Sequence, residues 1–177
     1  LFFKEEFMPQ GVDRVLFMIA PALTVIPAMI GFVVIPWGGY LEFGDGHQVA
    51  IMGADINIGV VYLVAAASLG VYGVGLGGWA SNNKYSFLGG LRATAQMISY
   101  EIPMGLALLC VVLTAGTLLP QQIVGQQLAG QWYLIQQPIV AIIFYICLLA
   151  EAGRAPFDLA EAEQELIGGW HTEYSSM

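Results

Sequence analysis

Apolar and polar positions along this chain fall into long blocks. Four apolar runs, at about 15–36, 58–79, 102–119 and 133–150, each come close to the roughly 20 residues that one bilayer crossing needs. Polar stretches separate them at 37–57, 80–101 and 120–132, and a last one opens at Glu151. The pattern predicts an all-α, polytopic transmembrane helical bundle, a single membrane domain over 1–177 with four spans and helices in the loops of one face. The first run carries Pro21 and Pro27 and stops at Pro36. An interior proline frees a backbone carbonyl and bends the helix, which a membrane tolerates only where a neighbour re-satisfies that group. The second run closes on Gly70, Gly73, Gly75, Gly77 and Gly78. Gly73 and Gly77, four apart, leave room for another helix backbone to approach closely. The loop Trp37–Asn57, with Gly-Asp-Gly at 44–46, and the Gln-rich loop near 121–131 read as solvated connections. There is no sequence repeat and no second domain.

Composition agrees with a membrane solvent. The chain is 58% hydrophobic and 10% charged, with a mean hydropathy of +0.72, against about 25% charged residues in an ordinary soluble domain. No basic segment leads into a short apolar core with a small-residue cleavage site, so none of the runs reads as a signal peptide. The chain opens on Leu1 without an initiator Met and stops at Met177 without a closing element. It is expected to be a piece of a longer protein.

Five positive charges set the expected topology. Lys4 and Arg14 precede the first run, Lys84 and Arg92 lie between the second and third, and Arg154 follows the fourth. The other two loops contain no Lys or Arg. Four crossings would put every basic residue on one face, which the positive-inside rule makes the cytoplasmic or matrix side.

Several chemistries drop out. The net charge of -8 is spread over two membrane faces, and no basic patch exists to neutralise phosphates, so nucleic acid is not an expected partner. Cys110 and Cys147 sit in different apolar runs, match no metal or redox spacing, and read as small apolar side chains. His47 and His171 are too far apart in sequence to suggest a metal site. Gly73, Gly75 and Gly78 fit G-x-G-x-x-G by letter, but they lie inside a span with no preceding strand. No metal and no bound cofactor is expected of this chain.

Two polar stretches on the basic face carry the candidate chemistry. In Ser81–Pro103 the chain reads as a helix past Gly90, with Arg92, Gln96 and Ser99 on one polar stripe. Glu101 stands at the mouth of the third span. A charged, unpaired carboxylate there costs several kcal/mol, so it either finds a cation, a water or a proton, or snorkels to the interface. The second stretch, Glu151–Met177, packs six acids and one arginine behind an apolar run. Pro156 argues against a continuous helix through Arg154 and Asp158. Asp158-Leu-Ala-Glu161 fits a capping-box start for a new helix that Gly168-Gly169 would end. On that helix Asp158, Glu161 and Glu165 share a face while Glu163 points elsewhere. Like charges so close repel, and one of them is expected to hold its proton, as a relay requires. A charge run is more commonly a solvated loop. Against that reading, Phe157, Leu159, Leu166, Ile167 and Trp170 are interleaved with the acids, which suits the wall of a cavity for an apolar ligand with a polar head.

At these residues the chain resembles the H-type membrane subunits of respiratory complex I, a family found in bacteria and mitochondria. The family pattern E-T-N-R-x-P-F-D-L-x-E-x-E-x-E-L-v-x-G-[FY]-x-x-E-Y stands here as Glu151-Ala-Gly-Arg-Ala-Pro-Phe-Asp-Leu-Ala-Glu-Ala-Glu-Gln-Glu-Leu-Ile-Gly-Gly-Trp-His-Thr-Glu-Tyr174. The middle loop is similar to the family's G-W-A-S-N-x-K-Y-x-x-L-G-x-L-R-A-x-A-Q-x-x-S-Y-E. Lys4-Glu5-Glu6 followed by Pro9 resembles its K-E-D-x-x-P opening. The likeness runs the length of the chain. Ala152-Gly153 in place of Thr-Asn bears on the hydrogen bonding around Arg154, and Trp170 in place of Phe or Tyr on the shape of the cavity wall.

The resemblance implies a membrane subunit of a proton-pumping NADH:quinone oxidoreductase, placed in a bacterial or mitochondrial inner membrane. It would form part of the chamber that admits quinone from the lipid. Carried over by position, Arg92, Arg154, Phe157, Asp158, Glu161, Glu163, Glu165 and Trp170 border that chamber. Glu101 and Glu151, with Glu161, Glu163 and Glu165, lie on the proton path. Arg154 is expected to anchor the acidic loop by a charge-assisted bond to Asp158 or Glu161. By the same resemblance NADH, FMN and iron–sulfur clusters belong to partner subunits of the complex. The family also has further flanking helices, so this piece would hold only part of the chamber. Three other readings stand beside this one. They are the equivalent subunit of a related dehydrogenase or energy-converting hydrogenase, a cofactor-free ion-translocating membrane protein, and a purely structural anchor.

Overall fold

The computed structural model describes residues 9, 11–44, 47–130, 132–157 and 174. Helix α1, Arg14–Gly31, starts where the Asp13 carboxylate accepts from the backbone N–H groups of Val15 and Leu16 at 3.1 and 3.4 Å, an acidic N-cap that satisfies two orphan donors. Helix α2, Gly59–Ala80, contains no charged residue. Helix α3, Lys84–Ala115, begins on Asn83, whose side chain accepts from Tyr85 N–H at 3.0 Å. It ends on Gly116, which takes a φ of 67° and returns its N–H to Val112 O at 2.8 Å, the left-handed cap that favours glycine. Helices α4, Pro120–Ala129, α5, Tyr133–Gln136, and α6, Pro138–Glu151, follow.

Among the described residues three helices, α1, α2 and α3, are long and apolar enough to cross a membrane. An all-α membrane bundle fits the chain, but the four predicted spans are not all full-length. The fourth run is split at Gln137-Pro138, because Pro138 supplies no N–H to continue α5. The 14 residues of α6 extend about 21 Å, short of the roughly 30 Å of a hydrocarbon core. The first span closes earlier than predicted, at Gly31.

The polar stretches also differ from expectation. The segment 80–101, read as a loop with a helix past Gly90, is helical from Lys84 and continuous with the third span through Pro103. One missing N–H costs a single hydrogen bond, which neighbouring packing sustains. The stretch 37–57 contains an antiparallel hairpin of β1, Tyr40–Phe43, and β2, His47–Ala50, with Tyr40 opposite Ala50 and Phe43 opposite His47. The Gln-rich stretch holds α4, with Pro120 at its first turn, where its missing N–H is no loss.

Neighbouring long helices run antiparallel. Ala20 of α1 meets Gly73 and Gly77 near the end of α2, whereas Gly31 meets Leu63 near its start. Gly78 of α2 meets Gly90 in the first turns of α3, and the end of α6 meets the first half of α3 through Gln96 and Ala150. Among the described residues, six of the eleven buried apolar ones are alanines, while Leu113 and Ile139 are 74% and 73% exposed. Small residues inside and large apolar ones outside are what a bundle in lipid requires, since lipid gives no hydrophobic drive for burying leucine between helices.

Candidate functional site

The polar groups of the bundle gather along α3, toward the end where α1 begins and α6 stops. Ser68, in the middle of apolar α2, lies within hydrogen-bonding reach of Val64 O at 3.0 Å and of Glu101 Oε1 on α3. A hydroxyl carries one proton, so Ser68 either donates to the Glu101 carboxylate or donates to Val64 and accepts from Glu101. Glu101 is half-buried, about one turn of α3 from the exposed Ile98. Glu151, the last residue of α6, is half-buried and interacts electrostatically with Glu101. Two carboxylates within range of one another cannot both ionise without cost.

Gln96, about a turn and a half nearer the start of α3, joins this seam to the chain beyond α6. Its Nε2 donates to Ala150 O at 3.2 Å and to Phe157 O at 2.9 Å. The Phe157 ring meets Tyr100 edge-on with centroids 5.1 Å apart. Between these ties α6 stops at Glu151, and Gly153 takes a φ of 58°. Arg154 N–H then returns to Leu149 O at 3.1 Å, and Phe157 N–H to Arg154 O at 2.8 Å. The helix break expected from Pro156 is therefore present, placed five residues ahead of the proline.

Tyr174 docks on the other side of the bundle. Its ring stacks flat on Phe17 of α1 at 4.0 Å, and its hydroxyl donates to Phe17 O at 3.1 Å. Burial pushes the phenol up to about 12, so near neutral pH it is an uncharged donor.

The predicted site residues divide accordingly. Glu101 and Glu151 come together, as do Gln96 and Phe157. Arg92 lies in the first half of helix α3, and the Arg154 side chain is exposed. Asp158, Glu161, Glu163, Glu165 and Trp170 lie outside the described residues, with Leu159, Leu166, Ile167, His171, the capping-box helix and Lys4-Glu5-Glu6. The Arg154 anchor to Asp158 or Glu161 lies outside them for the same reason. Among the described residues no three His, Cys, Asp or Glu side chains gather as metal ligands. Cys147 is buried and Cys110 half-buried, both as free thiols. Sequence reasoning gave no role to Ser68, Tyr100 or Tyr174, although the last two stand in the quoted family patterns. A hydroxyl midway along an otherwise apolar helix was the one available signal for Ser68.

Long apolar helices, a glycine and alanine interior and two interacting carboxylates, one of them halfway along α3, define a multi-pass membrane protein with an ionisable seam. The family model described as NADH dehydrogenase matches residues 1–177, and the chain belongs to that family. It is 53% identical to the first of the NADH-quinone oxidoreductase H subunits of Cytophaga hutchinsonii, over 99% of this chain and 51% of that protein. It is 54% identical to the NADH-quinone oxidoreductase H subunit of Protochlamydia amoebophila, over 98% and 53%. With the second H subunit of Geobacter metallireducens the identity is 50%, over 100% and 54%. The chain thus spans about half the length of the curated relatives it matches.

Proposed function

We propose that this chain is part of the membrane subunit of a proton-pumping NADH:quinone oxidoreductase, where it walls the quinone chamber and passes protons from quinone chemistry into the membrane. The observation that carries the reading is the seam of α3. Glu101, halfway along α3, interacts with Glu151 at the end of α6, and Gln96 fastens the turn that follows α6 beside them. A reduced quinone gains two protons with its two electrons, and coupled carboxylates answer a local charge change by shifting protons between them. Arg92, Arg154, Phe157, Asp158, Glu161, Glu163, Glu165 and Trp170 are assigned to the chamber side of this site. Glu101 and Glu151, with Glu161, Glu163 and Glu165, are assigned to the proton path.

The same bundle supports an assignment of topology. With α5 and α6 together as a fourth crossing, antiparallel to α3, Arg14, Lys84, Arg92 and Arg154 share one face. That face is the cytoplasmic side of a bacterial inner membrane or the matrix side of a mitochondrial one. NADH, flavin and iron–sulfur clusters are assigned to partner subunits, and quinone to this site as substrate.

The test uses membranes carrying the assembled complex with Arg154→Ala. NADH–ferricyanide activity is compared with inhibitor-sensitive NADH–quinone activity in one sample. Ferricyanide reduction retained with quinone reduction lost is expected. Both retained would remove Arg154 from the site, and both lost would mean that it acts through assembly. A protein isolated without any redox partner would favour the cofactor-free transporter instead.

A further inference from the structure

Helix α1 contains a carbonyl that its own backbone cannot satisfy. In an α-helix each N–H bonds the carbonyl four residues earlier, and the residue four beyond Phe17 is Pro21, which has no N–H. Phe17 is 6% exposed, and a buried carbonyl without a donor is costly where no water reaches it. The Tyr174 hydroxyl donates to that oxygen, across 157 positions of sequence. The surroundings fit the ring as well as the hydroxyl. It stacks on Phe17 with 1° between planes. A Cβ on Gly77 would stand 3.4 Å from the hydroxyl oxygen and 3.7 Å from Cε2, so glycine supplies the flat floor on α2.

We propose that Phe17, Pro21 and Gly77 form a receptor for Tyr174, which acts as a positioning residue by fastening the far end of the acidic stretch to the α1–α2 pair. The near end is already held on α3, through Gln96 to Phe157 O and through the Tyr100–Phe157 contact. Covalent continuity then ties the residues between Phe157 and Tyr174 to two different parts of the bundle. The proline bend and the tether are one device: Pro21 creates the vacant acceptor, and Tyr174 fills it. The consequence for quinone turnover rests on the function proposed above, whereas the tether does not.

A double-mutant cycle in the assembled complex separates the two. Tyr174→Phe keeps the stack and removes the donor, while Pro21→Ala restores a helical N–H for Phe17 O and makes the donor redundant. Pro21→Gly supplies the same N–H with a freer backbone and replaces Pro21→Ala if assembly fails. Cleavage by a glutamate-specific protease near Glu161–Glu165 reads the tether directly. Tyr174→Phe is expected to accelerate cleavage roughly fivefold, the factor that one ordinary hydrogen bond supplies, and to add nothing in the Pro21-substituted background. Equal acceleration in both backgrounds, or none in either, would overturn the proposal. In the same samples Tyr174→Phe should lower inhibitor-sensitive quinone reduction and spare ferricyanide reduction. A coupled protease response with unchanged quinone reduction would leave the tether standing and count against the function.

Discussion

The two sides of α2 are held by different physics. Toward α1 the contact is dry and close: a Cβ on Gly73 would come within 2.8 Å of Ala20 O and 2.9 Å of Thr24 N. Toward α3 the glycine contact of Gly78 with Gly90 gives way, three turns further along, to the polar meeting of Ser68 with Glu101. Beyond α3 the contact with α6 is polar at both ends, through Gln96 to Ala150 O and through Gln137 to Thr114 and Cys110 O. Close backbone packing leaves no room for a chain of waters or a ligand. Hydrogen-bonded seams hold groups that can change partners, so the proton path proposed above is assigned to the space between α2, α3 and α6.

That contrast breaks most visibly at the glycines. Gly73→Val drives new carbons into backbone atoms that cannot yield, and a cost of about 3 kcal/mol is expected for overpacking of this kind. The amount of assembled complex in membranes should fall steeply, with ferricyanide and quinone activities declining together. A weaker effect is expected at the polar seam. Gln96→Ala removes two hydrogen bonds, worth about 1–2 kcal/mol together. Assembly should survive, while the quinone KM rises severalfold and ferricyanide activity stays constant. The smallest effect sharpens the first: a Cβ on Gly70 meets nothing within 4 Å. Gly70→Ala should therefore stay within about 0.5 kcal/mol of the parent in thermal unfolding. If Gly70→Ala proves as damaging as Gly73→Val, the dry seam is not where the geometry puts it.

Much of this division was legible in the chain itself. Apolar runs of spanning length announced α1, α2 and the second half of α3, and the spacing of Gly73 and Gly77 announced a close helix neighbour. Glu101 was recognisable because a carboxylate at the mouth of an apolar run needs a partner, whereas Glu151 was singled out by the family resemblance alone. The failures have local causes. Gly89-Gly90 and Pro103 look like breakers, but Gly90 serves the contact with Gly78 and the proline forfeits one bond, so α3 runs unbroken. The short runs flanking Gly44 offered a hairpin signal only four residues long on each side. Helix α4 was hidden by its glutamines, although Pro120 before a run of helix-compatible residues marks a helix start. Tyr174 carried no local signal, since its partner is a carbonyl defined by a proline 153 positions earlier.

The central claim is that the seam of α3 moves protons in step with quinone reduction. It is tested most directly by Glu101→Gln, which keeps the shape and a hydrogen-bonding group beside Ser68 but cannot exchange a proton as a carboxyl does. The complex is reconstituted into vesicles, and protons translocated per NADH oxidised are measured beside inhibitor-sensitive quinone reduction. The account predicts a proton yield far below the parent's, with quinone affinity preserved. Normal proton yield accompanied by lost quinone binding would contradict it, and would make Glu101 a wall of the chamber instead of a step on the proton path.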